Sequence, residues 1–310
     1  MDNKSLRKEY GKTLVKLGKQ DKNIVVLDAD LAKSTKTIEF AKVYPERFFD
    51  FGLSEQDMIG AAAGLALTGK TAFVSSFAVF LTGRVYDQIR QSICYNNVNV
   101  KLVSTHSGLD VGEDGATHQM LEDISLMRTL PNMRVIVPAD TIETKQVIEY
   151  VYKTYGPFYV RLIRNELPIV HSKDYKFKIG KASVLKEGTD ITLIAIGPMV
   201  SKAVEAEKTL KKKGISATVI NCSSIKPLDE ETILKYVKKS KGVVTVEDHS
   251  IFGGLGSTIA EFLSKNHPIK MRMIGVDNKF GRSGKPNDLY SLYKLTKEEI
   301  INKVVEILGS

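Results

Sequence analysis

The run Ile24-Val25-Val26-Leu27-Asp28 has the length and the β-branched composition of a strand buried in a parallel sheet. Three similar runs follow in the first half of the chain, at Thr71-Ala72-Phe73-Val74, Val100-Lys101-Leu102-Val103 and Arg134-Val135-Ile136-Val137. Helical patterns lie between these runs, where the crossovers between parallel strands belong. The alternation predicts an α/β fold built on a mostly parallel sheet.

Two of the predicted helices have recognisable ends. The first covers residues 55–68, with Ser54 as its N-cap and Gly69 directly after its end. The second covers residues 141–154, with Asp140 as its N-cap. Each helix lies where a crossover between strands is expected.

A second series of strands and helices follows a break in the pattern near residue 167. Strand-like runs recur at residues 191–196, 217–220, 243–246 and 271–274, separated by amphipathic helical patterns. The length also suits two domains, because single hydrophobic cores rarely grow beyond about 250 residues. We therefore predict an α/β protein with two domains, each a mostly parallel sheet flanked by helices: residues 1–170, a linker at 171–186, and a smaller domain at 187–310.

The composition excludes several classes of protein. The first residues contain no apolar core of a secretory signal, and no apolar run approaches the roughly 20 residues of a membrane span. We therefore expect a cytoplasmic protein without a membrane partner. The net charge of +9 comes from lysines scattered without interleaved aromatic residues, so a nucleic-acid partner is not expected. Cys94 and Cys222 lie in apolar stretches, which predicts buried, inert thiols.

The densest set of chemically active side chains lies at residues 104–119, directly after a predicted strand. A loop in this place lies at the carboxyl edge of the sheet, where open α/β sheets bind ligands. His106, Asp114 and His118 are residue types that ligate metals, but no recognised metal-binding spacing is present. The same side chains can hold hydroxyl groups and transfer protons. The glycines of the loop would also fit a purely structural turn.

Three further features each have two interpretations. Glu55 opens a helix of very small residues, either as a functional acid or as a favourable charge at a helix N-terminus. Arg7 and Arg164 could bind phosphate through their guanidinium forks or form ordinary surface ion pairs. The run Gly253-Gly254-Leu255-Gly256 is placed as phosphate-binding loops are, but it lacks the full dinucleotide fingerprint, so we predict a tight turn.

Taken together, these segments resemble one family. The loop Gly112-Glu113-Asp114-Gly115-Ala116-Thr117-His118-Gln119, with Thr105-His106-Ser107, Ser54-Glu55-Gln56 and Asp28-Ala29-Asp30-Leu31, is similar to the pyrimidine-binding domain of transketolase. The resemblance continues through Val246-Glu247-Asp248-His249 to the end of the chain. It implies a thiamine diphosphate-dependent enzyme that transfers a two-carbon ketol unit from a ketose phosphate to an aldose phosphate.

The resemblance implies how the cofactor is held. Glu55 would hydrogen-bond N1′ of the aminopyrimidine ring and take part in catalysis. Phe77 and Phe80 would enclose that ring. Asp30 would also contact the cofactor, at the edge of the substrate channel.

The resemblance implies the remaining site residues as well. His106 and His118 would be catalytic, transferring the protons of sugar hydroxyl groups. The substrate-binding residues would be Arg7, Ser34, His106, Asp114 and Arg164. Among these, the two arginines and the serine would hold the sugar phosphate.

The family's diphosphate-binding motif, Gly-Asp-Gly followed at a distance by asparagine, has no counterpart in this sequence. The resemblance therefore implies that the cofactor lies between two kinds of chain. The Mg²⁺ and diphosphate ligands would come from a transketolase N-terminal subunit, and this chain would contribute no metal ligand. We expect a heterotetramer that is inactive without that partner.

Three alternatives remain open. Phe80-Leu81 and Arg84-Val85-Tyr86-Asp87-Gln88 look like deoxyxylulose-phosphate synthase, which uses the same cofactor, but that family usually has an arginine where this chain has His106. The β subunit of a 2-oxo acid dehydrogenase fits the loop at residues 112–118 poorly. An interaction subunit that has lost catalysis is disfavoured, because every group expected on the pyrimidine side is present.

Overall fold

The computed structural model describes residues 3–309, so the predicted domain ends at residues 1, 2 and 310 lie outside the described part. Its strands are β1 (Asn3–Ser5), β2 (Ile24–Asp28), β3 (Phe48–Asp50), β4 (Thr71–Phe77), β5 (Val100–Thr105), β6 (Arg134–Ile136), β7 (Phe158–Arg161), β8 (Glu166–Pro168), β9 (Ser183–Lys186), β10 (Ile191–Ala195), β11 (Ala217–Asn221), β12 (Ser224–Lys226), β13 (Val243–Ser250) and β14 (Met271–Val276).

The helices lie between these strands and after the last one. The α-helices are α1 (Leu6–Gln20), α2 (Ala32–Thr35), α3 (Ile38–Val43), α4 (Glu55–Leu67), α5 (Tyr86–Gln88), α6 (Asp123–Thr129), α7 (Thr141–Lys153), α8 (Met199–Lys212), α9 (Glu230–Val237), α10 (Leu255–Asn266), α11 (Pro286–Leu292) and α12 (Lys297–Leu308). Segments of 3₁₀ helix occupy Pro45–Arg47 and Leu109–Asp114, and segments of π-helix occupy Val79–Gly83 and Ile89–Tyr95.

The first half of the chain forms a sheet of order β12-β6-β7-β5-β4-β2-β3. All its pairs are parallel except β12 with β6. Side chains of β2 alternate between the two faces: Ile24 and Val26 pack in a core with α1, α3 and α7, whereas Val25 and Leu27 pack with α4. Both faces are therefore covered, as the continuous apolar strands predict.

The second half forms a sheet of order β14-β13-β10-β11-β9, in which only β9 pairs antiparallel. The predicted α/β class with two mostly parallel sheets is confirmed. β9 falls inside the predicted linker at 171–186, and β12 crosses back to extend the first sheet. The division at residues 170 and 187 stays a prediction, which does not account for these two strands.

The predicted helix caps have different outcomes. The Asp140 side chain accepts a hydrogen bond from the backbone N–H of Glu143, at 2.9 Å, which confirms it as the N-cap of α7. Ser54 is the N-cap residue of α4, as predicted, but its hydroxyl makes no capping hydrogen bond, and its backbone carbonyl accepts from the N–H of Met58 at 3.0 Å. The φ of Ser54 is −126° and its ψ is 57°, outside the extended backbone that capping serines usually adopt.

Cys94 and Cys222 are both buried free thiols, as predicted. Burial raises the pKa of each thiol to about 12, so neither carries a reactive thiolate near neutral pH. No helix within residues 3–309 is long and apolar enough to cross a membrane.

A buried arginine ties the two halves of the chain together. The Arg161 Nε on β7 donates to Asp123 Oδ2 on α6 at 2.7 Å, and its Nη2 donates to the Asp248 carbonyl on β13 at 2.8 Å. Tyr159 also donates to the Asp123 carboxylate. Both members of the ion pair are almost completely buried, so each charge depends on the other for stabilisation.

We predict that Arg161→Met lowers the free energy of unfolding by about 3–5 kcal/mol, because it leaves the Asp123 charge buried and unpaired. Arg272→Met is the matched control, since Arg272 pairs with Glu306 where both side chains are 44% exposed. The control should change stability by less than about 1 kcal/mol. Urea unfolding followed by circular dichroism measures both, and equal losses would contradict the role given to Arg161.

Candidate active site

Glu55 begins α4, beyond the carboxyl end of β3. The chain reaches it through a turn in which Gly52 has a φ of +61°, a conformation that glycine adopts without strain. Only 3% of Glu55 is exposed, and its Oε2 accepts a hydrogen bond from Arg84 Nη1 at 2.8 Å. The predicted catalytic acid is therefore a buried carboxylate with one oxygen already paired.

Arg84 is a residue of this site whose role the sequence did not suggest. Its guanidinium lies over the Phe80 ring, 4.3 Å from the centroid, and its backbone carbonyl accepts a hydrogen bond from Gln56 Nε2. The side chain thus joins the start of α4 to the segment after β4. Both segments follow the carboxyl ends of parallel strands, and this position was the signal in the sequence that Arg84 could belong to the site. Sequence spacing alone could not pair Arg84 with Glu55.

The predicted aromatic and histidine residues lie together. The rings of Phe77 and Phe80 are stacked, with centroids 6.1 Å apart and planes at 14°. His106 stacks on Phe77 at 3.7 Å, and His118 meets Phe80 edge-on at 5.4 Å. An unbroken series of contacts therefore runs from the carboxylate of Glu55 through Arg84 and the two phenylalanines to both histidines.

His106 is held as a neutral imidazole. Only 4% of the residue is exposed, and its Nδ1 lies 2.9 Å from the Thr105 hydroxyl. Burial, followed by the positive charges of Arg7 and Arg164, lowers the His106 pKa to about 2. A neutral imidazole can accept a proton at one nitrogen while it donates from the other.

Arg7 joins the two predicted substrate-binding loops. Its Nη1 donates to the Ser34 carbonyl at 2.6 Å, while its Nε and Nη2 donate to the Arg164 carbonyl at 3.0 and 2.6 Å. Arginine has five N–H donors, and within residues 3–309 two of those on Arg7 have no acceptor. Burial, and then the charge of Arg164, lower the Arg7 pKa.

The Arg164 side chain lies next to Asp114 on the loop at residues 106–119. The Arg164 Nη1 donates to the Val111 carbonyl at 2.6 Å and lies 3.8 Å from Asp114 Oδ2 and 3.9 Å from Glu113 Oε2. These side chains are partly exposed. They are therefore accessible to a ligand that approaches from solvent.

Asp28 organises the loop that carries Asp30 and Ser34, a role that the sequence did not indicate. The carboxylate of Asp28 accepts hydrogen bonds from the hydroxyl groups of Thr35 and Thr37, at 2.7 and 2.8 Å. Burial raises its pKa to about 6. The exposed carboxylate of Asp30 and the hydroxyl of Ser34 have no hydrogen-bond or ion-pair partner within residues 3–309.

The C-terminal half of the chain packs against the loop at residues 106–119. Asp248 Oδ1 accepts a hydrogen bond from the backbone N–H of Leu109 at 3.0 Å. A Cβ at Gly108, whose φ is +70°, would lie 2.1 Å from Asp248 Oδ2. The close approach therefore requires glycine. The motif Glu247-Asp248-His249 was the signal in the sequence, but only the fold shows what it contacts.

The glycine run at residues 253–256 is the predicted strand-to-helix turn. The Glu247 carboxylate accepts hydrogen bonds from the backbone N–H groups of Leu255 and Gly256, at 2.7 and 2.8 Å. A carboxylate of the chain itself thus occupies the positive end of α10, where a phosphate would bind. Burial raises the Glu247 pKa to about 7.

One sheet edge carries an acid, paired aromatic rings, two histidines and two arginines, and a second α/β unit packs against it. This arrangement defines a class of cofactor-binding domain pair. The family model for the transketolase pyrimidine binding domain matches residues 2–170, and the model for the transketolase C-terminal domain matches residues 180–300. The chain belongs to the transketolase family. It carries the pyrimidine-binding domain of this thiamine diphosphate-dependent family.

Individual relatives agree with this assignment. A chain from Methanocaldococcus jannaschii with the provisional name transketolase C-terminal section is 50% identical over 98% of this chain and 96% of its own length. A 6-deoxy-6-sulfo-D-fructose transketolase subunit from Clostridium sp. strain MSTE9 is 39% identical, covering 97% and 94%. A solved structure described as a split-gene transketolase in an inactive β4 tetramer has a TM-score of 0.91 and 46% identity, covering 99% of both chains.

A longer relative has a different activity in its name. The 1-deoxy-D-xylulose-5-phosphate synthase of Pelotomaculum thermopropionicum is 38% identical over 96% of this chain, which spans 47% of that relative. Family membership alone therefore does not fix the substrates.

We predict that His106→Asn changes how stability depends on pH. The His106 pKa is about 2 in the folded chain, whereas an unfolded histidine has a pKa of about 6.5. Below pH 6.5 the unfolded state therefore binds a proton that the folded state rejects. The wild type should lose about 1.4 kcal/mol of stability per pH unit relative to the variant.

Urea unfolding of both proteins at a series of pH values between about 7.5 and 4.5 measures this difference. A difference in unfolding free energy that stays constant across this range would show that His106 is not held neutral.

Proposed function

We propose that this chain is the C-terminal subunit of a split transketolase, which moves a two-carbon ketol unit from a ketose phosphate to an aldose phosphate. The observation that carries this proposal is the continuous contact series from Glu55 through Phe80 and Phe77 to His106. A carboxylate, two aromatic rings and an imidazole thus lie together at one sheet edge, near Arg7 and Arg164, which supports the proposed roles.

The residues present fit the aminopyrimidine part of thiamine diphosphate. Glu55 pairs with Arg84 through Oε2, so its other oxygen can bond a ring nitrogen. The faces of Phe77 and Phe80 can pack against a flat heteroaromatic ring, and the carboxylate of Asp30 has no protein partner within residues 3–309. When bound, thiamine diphosphate supplies the carbanion-stabilising chemistry that two-carbon transfer needs.

The side chains of this protein would then act as follows. Glu55 holds and exchanges a proton at N1′ of the pyrimidine, while Arg84 fixes the direction of the carboxylate. His106, which is neutral, and His118 move protons to and from the hydroxyl groups of the sugar. Asp114 accepts a hydrogen bond from a sugar hydroxyl.

The phosphate of the sugar would bind at the positive end of the channel. Arg164, the two free N–H donors of Arg7, and Ser34 can all donate hydrogen bonds to its oxygens. One relative is named as a 6-deoxy-6-sulfo-D-fructose transketolase subunit, so a sulfonate is a second anion to consider at this site.

We further propose that Mg²⁺ and the diphosphate are held by a separate transketolase N-terminal subunit, in a heterotetramer. Within residues 3–309, no three His, Cys, Asp or Glu side chains are grouped so that they could hold a metal ion. The solved relative described as an inactive β4 tetramer supports a need for a second kind of chain.

A deoxyxylulose-phosphate synthase activity is the second candidate, favoured by the segment that begins with Arg84 and by the similarity to the synthase of P. thermopropionicum. The heterocomplex should be assayed on xylulose 5-phosphate with ribose 5-phosphate, and on pyruvate with glyceraldehyde 3-phosphate. We expect transfer in the first assay. Turnover in the second assay alone would replace the proposal.

We predict that Glu55→Gln lowers kcat of the assembled complex by a factor on the order of 10² or more, because an amide cannot exchange the required proton. Glu39→Gln is the matched control, since Glu39 is an exposed residue of α3 that pairs with Lys42. The control should keep wild-type turnover. Size-exclusion chromatography must show that both variants assemble, and a near-normal kcat for Glu55→Gln would remove this residue from the mechanism.

A further inference from the structure

A groove in the C-terminal half has no part in the proposed reaction. It is a cavity of about 790 Å³ bounded by β14, the loop at residues 277–284, and α12. Sites for small molecules are commonly about 300–1,000 Å³. The groove is therefore large enough for a small metabolite.

The groove carries an excess of positive charge. Its cations are Arg272, Lys279, Arg282, Lys294 and Lys303, and its anions are Asp277 and Glu299. Arg272 and Lys303 already pair with Glu306. Lys279, Arg282 and Lys294 line the groove and make no ion pair within residues 3–309, so the positive charge of the groove exceeds that of its two carboxylates.

An exposed aromatic ring stands at the same groove. Phe280 is 81% exposed, although its backbone carbonyl is fixed by a hydrogen bond from the Tyr293 hydroxyl at 2.7 Å. The loop is also attached on its other side, where the Ser283 hydroxyl donates to the Glu113 carbonyl. The backbone of this loop is fixed, and it exposes the Phe280 ring next to cations that have no ion-pair partner. Such a surface suits a ligand with an anionic part and a flat apolar part.

The loop at residues 277–284 also packs against the candidate catalytic loop, which carries His106 and His118. Gln119 Nε2 donates both to the Gly112 carbonyl, at 3.2 Å, and to the Arg282 carbonyl, at 3.0 Å. A Cβ at Gly281 would lie 1.8 Å from Gln119 Oε1, so the loop at 277–284 packs against Gln119 with no space for a side chain at Gly281. Gln119 therefore joins this loop to the segment between His106 and His118.

We propose that the groove binds a phosphorylated small molecule that carries an aromatic ring, and that its binding steadies the loop at residues 109–119. The phosphates bind Lys279, Arg282 and Lys294, and the ring packs on Phe280. Gln119 and Ser283 connect the groove to the loop. The proposal concerns binding and order, and it does not depend on which reaction the enzyme catalyses.

Calorimetry on the full-length chain tests the site, with ADP as the aromatic diphosphate probe and pyrophosphate as the anion alone. Lys279→Ala with Lys294→Ala should weaken ADP binding by about tenfold or more, since the change removes two charged donors to the phosphate oxygens. Lys208→Ala with Lys212→Ala, on the exposed face of α8, is the control with the same change of charge. Phe280→Ala should weaken ADP binding and leave pyrophosphate binding unchanged.

Three outcomes would overturn the site. ADP and pyrophosphate binding with equal affinity would remove the role of Phe280. ADP binding that is lost in Arg164→Ala and retained in the lysine double variant would place the ligand in the substrate channel instead. Failure of ADP to bind, together with weaker assembly of the lysine double variant with the N-terminal subunit, would make the groove a contact for that partner.

Hydrogen exchange tests the connection without an activity assay. Saturating ADP should slow amide exchange in the peptide that contains residues 109–119. In Gln119→Met with Ser283→Ala, ADP should still bind but protection of that peptide should be lost. Protection that persists in this double variant, or that never appears in the wild type, would refute the connection.

Discussion

The buried charge of Arg161 is the constraint on which the rest of the structure depends. Its partners are Asp123 on α6 and the Asp248 carbonyl on β13, so one guanidinium joins elements of both halves of the chain. Asp248 in turn holds the backbone N–H of Leu109 and leaves no space for a side chain at Gly108. Because a buried charge is costly without its partners, the second α/β unit is bound in a fixed position under the loop that carries both candidate catalytic histidines.

Much of the fold could be predicted from the sequence, because buried parallel strands are short apolar runs whose positions need no knowledge of tertiary contacts. Ile24–Asp28 is predicted to the residue. β9 and β12 were missed, since strands of three or four residues at sheet edges carry almost no periodic signal. Ser54 is the N-cap of α4 as predicted, but whether its hydroxyl bonds depends on the φ and ψ of that one residue, which the sequence does not reveal.

The candidate site also contains residues that the sequence predicts and residues that only the fold reveals. Residues that follow strand ends, such as Glu55 and His106, could be placed at one sheet edge from the sequence and a family resemblance. Arg84 and Asp28 could not, because their importance comes from partners distant in sequence or from burial. The ion pair between Arg84 and Glu55 orients the carboxylate that we propose for the cofactor. A guanidinium of the same chain therefore fixes the direction of this acid before any ligand binds.

The central claim is that this chain holds only the pyrimidine side of a cofactor site. Titration calorimetry of thiamine diphosphate with Mg²⁺ tests it most directly, first on this chain alone and then after addition of a subunit with the Gly-Asp-Gly motif and its asparagine. Binding should be weak for the isolated chain, and it should become tight and Mg²⁺-dependent only in the mixture, with the cofactor strengthening assembly by linkage. Saturable, Mg²⁺-dependent binding of micromolar cofactor to the isolated chain would contradict the account.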